Sequence, residues 1–179
     1  MEFSKLILTR ESCRNFSAEP VDEAALVRCI EAARLAPSAC NSQPWYFVAV
    51  TQPELRNKLG ALCRMYGGNA YAQQAGALVA VFEVGHPILN PNVDRDFGCK
   101  AFAQGDVGMA TACLTLAAAD EGLASCIMGT FIDEKVKELL GMPEDCTCRA
   151  VVAVGHAAEK SAPRPKTRKP LEEITRFVK

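Results

Sequence analysis

Between residues 22 and 35 the apolar positions Leu26, Cys29, Ile30 and Ala33 fall at i, i+3, i+4 and i+7, the spacing of one helix face. Asp22 stands where an N-cap belongs, and Pro37 ends the run. Phe3, Leu6 and Ile7 repeat that spacing in a short opening helix. Thr51-Gln52-Pro53-Glu54 is a capping-box signature for a helix whose apolar face is Leu55, Leu59 and Leu62. Residues 45–50, 78–84, 125–128 and 149–154 are short β-prone runs and read as strands. Asp133 is expected to cap a helix that runs to Leu140. Residues 37–44 and 85–96 carry Pro, Asn, Ser and Gly and read as loops; residues 159–169 are basic, Pro-rich and extended. The mixture of helices and strands gives an α+β or α/β class, and the length gives one domain over residues 1–179.

A long helix is expected from near Phe97 or Lys100 to Asp120, ended at Gly122. Phe102, Val107, Met109, Ala110, Cys113, Leu114, Leu116 and Ala117 make it apolar on nearly every side. Such a helix has to be covered all round. Two arrangements do this: a central core helix, or a helix shared with a second subunit.

Composition narrows the classes. Apolar residues make up 49% of the chain, enough for a full core without disulfides or metal. Lys and Arg number 20 against 21 Asp and Glu, which removes the basic surplus of a nucleic-acid binder, although residues 164–169 form a local basic patch. The longest apolar run, 107–119, falls short of the ~20 residues a membrane span takes. Nine cysteines behind an opening that lacks the flanks of a secretion signal imply reduced thiols and a cytoplasmic location.

Three segments carry candidate chemistry. In extended backbone Arg10, Ser12 and Arg14 point the same way, and two guanidiniums with a hydroxyl suit a phosphate; spacing alone favours two solvated arginines. Ser38, Asn41, Ser42 and Gln43 offer donors and acceptors ahead of an aromatic strand, as the edge of a flavin ring requires, and an ordinary polar turn would look the same. Lys166 and Arg168 share a face of a proline-stiffened tail, where they could meet a phosphate dianion or simply be solvated. Other signals are weak. Cys146 and Cys148 are CxC rather than CxxC, His86 and His156 have no ligand set nearby, and no GxGxxG follows a strand.

Taken together these segments resemble the nitroreductase superfamily of FMN enzymes. The matching features are Arg10-x-Ser12-x-Arg14-x-Phe16, the loop Ala36-Pro37-Ser38-Ala39-x-Asn41-Ser42-Gln43-Pro44-Trp45, the stretch from Gly122 through Met128 to Gly129, and Lys166-x-Arg168. Their order and separations span nearly the whole chain, and the loop is the most specific of them. The resemblance implies an α+β three-layer sandwich with a mixed central sheet, built as an intertwined homodimer with two FMN sites at its interface. It implies that Arg10, Ser12, Lys166 and Arg168 hold the phosphate and ribityl end, with Arg14 near the pyrimidine edge of the ring. Pro37, Ser38 and Asn41, with their neighbours Ala39 and Gln43, would reach the cofactor from the partner subunit. Asn69 matches a ring-contacting position, and Gly129, after Met128, would face N5 through its backbone.

The activity implied is hydride transfer from NADH or NADPH to a small-molecule acceptor such as a nitroaromatic or quinone, by a ping-pong scheme, with no side chain acting as acid. The other readings are a flavin-binding or flavin-storage dimer without catalysis, and a structural dimer without ligand. Two departures stand out. Ala72 occupies a position where some relatives carry lysine, which leaves the ring electronics to Arg14. The connection 85–97 is short, which implies an open, unselective acceptor site and weighs against the deiodinase-like and flavin-destroying branches.

Overall fold

The computed structural model describes residues 1–17, 19–85, 91–158 and 164–178; His86 and Pro163 lie outside the described residues. Four strands, β1 (Trp45–Val50), β2 (Ala77–Glu83), β3 (Ala124–Met128) and β4 (Thr147–Gly155), form one sheet in the order β1-β2-β4-β3. Neighbouring strands are antiparallel throughout. The mixed character expected of the sheet comes down to a single parallel bridge between Ser12 and Ser125 at the β3 edge.

Side chains alternate across a strand, so the central strands feed two cores. Leu78, Ala80, Phe82, Val151 and Ala153 face one side, with Leu59 of α3 (Pro53–Leu62) and Val136 of α6 (Asp133–Leu140). Val79, Val81, Val152 and Val154 face the other. There they meet Leu26 and Cys29 of α2 (Glu23–Arg34) and Val107, Ala110 and Leu114 of α5 (Cys99–Asp120). The result is a helix–sheet–helix sandwich of the α+β class. Two shorter helices, α1 (Phe3–Thr9) and α7 (Leu171–Ile174), stand near the ends of the chain.

Local signals act mostly as expected, with instructive exceptions. Asp22 does cap α2, accepting from the Ala24 amide. The cap of α3 is Gln52 rather than Thr51: its longer side chain accepts from the Leu55 amide. Asp133 sits inside α6 rather than before it, and its carboxylate accepts from the Cys148 amide at 2.7 Å, tying that helix to β4. Part of the expected 85–96 loop is the helix α4 (Pro91–Phe97). A proline favours a helix's first turn as much as it favours a loop, so the same residue gave two opposite signals.

Helix α5 is only half covered by its own chain. Ala103, Val107, Ala110, Leu114 and Ala118 are buried, while Phe102 and Met109 on the opposite side are 37% and 41% exposed. Its buried threonines are satisfied locally, Thr111 donating to Val107 O and Thr115 to Ala112 O. The helix ends at Gly122, whose φ of +74° suits glycine. Among the described residues no helix is long and apolar enough to cross a membrane.

Gly155 ends β4 where another segment passes close by. A Cβ there would sit 2.9 Å from the Gly76 amide nitrogen and 3.0 Å from Phe16 Cδ1. Gly155→Ala should therefore destabilise the fold by about 1–3 kcal/mol, as overpacking does. Urea denaturation should show a lower midpoint at unchanged slope; an unchanged midpoint would mean that this crossing can open at no cost.

Candidate functional site

Residues 10–16 leave α1 in extended form and are stitched to the sheet's β3 edge. The Cys13 amide donates to Ser125 O at 2.9 Å, and Phe16 pairs with Ala157. The Phe16 ring is buried against Tyr71, with ring centroids 6.3 Å apart. With the backbone fixed this way, residues 10–14 form one wall of a cleft. The other wall is the basic tail. Arg164 donates from Nε to Glu11 Oε2 at 2.9 Å and from Nη2 to Ser12 O at 2.7 Å. Lys166 donates from Nζ to Arg10 O at 2.5 Å.

The cleft between these walls encloses about 290 Å³ and gathers Arg10, Ser12, Arg14, Arg164, Lys166 and Arg168. Five cations thus face one carboxylate, Glu11. A hydrogen bond from Arg164 holds that carboxyl below its ordinary value of 4.5. Like charges gathered this closely repel unless an anion lies among them. Guanidiniums and an ammonium beside a hydroxyl are the donor set that a phosphate monoester requires.

Residues 37–44 form a second unit. Cys40, Asn41 and Gln43 all adopt positive φ, at 53°, 53° and 48°. Such backbone persists only where its surroundings impose it. Here the Ser38 hydroxyl accepts from the Gln43 amide, and Asp106 Oδ2 accepts from the Ala39 amide, both at 3.0 Å. Asp106 is 5% exposed, an acid buried in an otherwise apolar helix for this contact. Pro37, Ser38, Ala39, Asn41 and Gln43 are absent from the lining of their own chain's cleft.

A third unit surrounds Asn69, another left-handed residue at φ 56°. Its Nδ2 donates to Cys63 O at 3.0 Å and to Thr130 Oγ1 at 2.9 Å, and its Oδ1 accepts from the Tyr71 hydroxyl at 2.8 Å. Gly129 is exposed beside Thr130. Met128 is buried in the core at 2% exposure, so its side chain is not offered to a ligand.

Sequence reasoning missed four of these residues. Arg164 shares the parity of Lys166 and Arg168 and could have been included on that ground. Asp106 was visible as a lone acid in an apolar helix. Thr130 and Tyr71 gave no signal. Thiol chemistry in the core is disfavoured, because burial pushes Cys63 and Cys148 up to about 12 and Cys29 to about 11. Among the described residues no group of His, Cys, Asp and Glu is arranged to hold a metal ion.

The sequence matches the Nitroreductase family over residues 7–83 and 64–156, and the chain belongs to that family. A protein of Thermus thermophilus named NADH dehydrogenase is 31% identical, over 93% of this chain and 91% of its own length. Among solved structures, a nitroreductase family protein from Streptococcus pneumoniae superposes with a TM-score of 0.84 at 26% identity, covering 99% of this chain and all (100%) of its own. One from Exiguobacterium sibiricum, solved in complex with FMN, gives 0.83 at 22% identity over 99% of this chain and 98% of its own.

The clasp between the two walls has a pH signature. Because Glu11 is held below 4.5 in the folded chain, its contact with Arg164 contributes fully above that pH. The contribution is lost as pH falls through the lower, folded value. Glu11→Gln should lower the thermal midpoint slightly at neutral pH, as a part-exposed pair allows. The gap from wild type should close in acid. Equal midpoints at neutral pH would show that the pair does not hold the tail.

Proposed function

We propose that the chain is a single FMN-binding domain that works as an FMN-dependent oxidoreductase. It passes hydride from NADH or NADPH to an organic acceptor, of the nitroaromatic or quinone kind, by a ping-pong scheme. The observation that carries this is the five-cation cleft between residues 10–14 and 164–168. Its charge calls for a phosphate and its donors are those a phosphate binds, so the residues present fit the group. Family membership supports the chemistry, as do a relative named for NADH and a similar fold solved with FMN.

Arg10, Ser12, Lys166 and Arg168 hold the phosphate and ribityl end in this reading. Arg14, in the same cleft, stands toward the pyrimidine edge, where a cation favours the reduced cofactor. Asn69 and the Gly129 backbone border the ring. Bound FMN supplies the two-electron chemistry. The chain's residues orient it and keep water out, which is what hydride transfer between stacked rings needs. No side chain is required as an acid.

The working unit is a homodimer. Phe102 and Met109 on α5 are open to solvent in one chain, and so are Leu171, Ile174 and Phe177 of the tail, the last 81% exposed. A surface this apolar marks an interface. A second copy would cover it and would bring residues 37–44 to the cofactor of the other chain. The nine cysteines stand as free thiols, which suits the cytoplasm.

The purified protein should be yellow and release FMN, not FAD, on heating. It should oxidise NADH or NADPH in the presence of a nitroaromatic or quinone. Initial-rate plots at varied donor and acceptor should be parallel, since one face of the ring serves both in turn. Intersecting lines would rule out the shared site, and a protein that takes up no flavin would rule out the function.

A further inference from the structure

We infer that Tyr71 is the positioning residue of the ring side of the site, orienting Asn69 through one buried hydroxyl. The inference rests on the FMN reading above and goes beyond it, because Tyr71 lies in the core behind the residues assigned to the cofactor. Its side chain belongs to the core and the residue is 9% exposed. Its ring is held against Phe16, which is pinned to the sheet through Ala157.

Three segments distant in sequence meet at this hydroxyl. Asn69 Oδ1 lies at 2.8 Å and Cys126 Sγ at 3.2 Å, and the Arg14 charge lies close enough to act on the same hydroxyl. A phenol has one proton to donate. Given to Asn69, it leaves the oxygen free to accept from the weak thiol donor of Cys126. Burial pushes the Tyr71 hydroxyl upward, with Arg14 opposing, so the proton is always present near neutral pH.

The direction of that proton decides what Asn69 presents. With Oδ1 accepting from Tyr71 and both Nδ2 protons taken by Cys63 O and Thr130, the amide cannot turn over without setting its oxygen against the Cys63 carbonyl, acceptor against acceptor. One lone pair of Oδ1 remains for a ring N–H. The Thr130 oxygen accepts from Asn69, which leaves its own proton to donate beside Gly129. A chain of bonds with one direction, partly shielded from water, holds these groups more firmly than separate exposed bonds would.

Tyr71→Phe keeps the ring and removes the hydroxyl, so Asn69 loses the donor that holds its Oδ1. In the FMN-loaded protein the affinity for oxidised FMN should change little. The affinity for reduced FMN should fall by about tenfold relative to it, the worth of one charge-assisted hydrogen bond. Potentiometric titration against a reference dye should then read a midpoint about 30 mV more negative. A packing role alone would move both affinities together. Cys126→Ser supplies a second handle if the phenylalanine variant does not fold. A serine hydroxyl competes with Asn69 for the tyrosine proton and should shift the potential the same way, whereas Cys126→Ala should leave it unchanged. A loaded Tyr71→Phe protein with the wild-type potential would overturn the proposal, as would Cys126→Ser and Cys126→Ala proteins that both match wild type. A wild type that binds no FMN would overturn the reading of the site and this proposal with it.

Discussion

The site depends on how five cations are held together. Arg10 and Arg14 come from one end of the chain and Arg164, Lys166 and Arg168 from the other, and their mutual repulsion opposes the cleft they line. Backbone acceptors overcome part of that repulsion. Arg164 is pinned by Ser12 O and Glu11 and Lys166 by Arg10 O, so each gives part of its donor set to the opposite wall. The walls hold because residues 12 and 13 are bonded to Ser125, at the edge of a sheet with a core on each face. The charge left over is what a bound phosphate would neutralise.

The second constraint is α5, which serves two surfaces at once. Its inner face completes the core under the sheet, while Phe102 and Met109 look outward. Asp106 leaves that helix to hold the Ala39 amide and with it the strained 37–44 loop. A carboxylate in such a position is costly unless bonded. If a second copy covers the outward face as proposed, assembly and cofactor binding would be linked, because a ligand bound only by the assembled form stabilises that form.

Much of this was legible in the sequence where one physical signal dominated. The period of α2, the apolar runs of β1, β2 and β4 and the length of α5 followed from side-chain burial and were found within a few residues. Signals went wrong where a residue has two uses. Pro91 opens a helix instead of a loop, Gln52 caps where Thr51 was expected, and the Asp133 carboxylate bonds a strand amide. At the site, the parity of Arg10, Ser12 and Arg14 survived folding because that segment lies extended beside β3. Tyr71 and Thr130 were illegible for a different reason. Thr130 meets Asn69 and Tyr71 meets Cys126 across dozens of positions, and nothing local marks either contact.

The most direct measurement is FMN affinity in a protein whose tail has lost its charge. Lys166→Ala combined with Arg168→Ala removes two cations from exposed backbone and should leave the circular dichroism spectrum and melting profile close to wild type. Titration of the apoprotein by quenching of FMN fluorescence should show a dissociation constant raised by ~10²-fold or more, since each charge-assisted contact contributes about 1.5–3 kcal/mol. An unchanged dissociation constant would return the tail to solvent and contradict the assignment of the cleft.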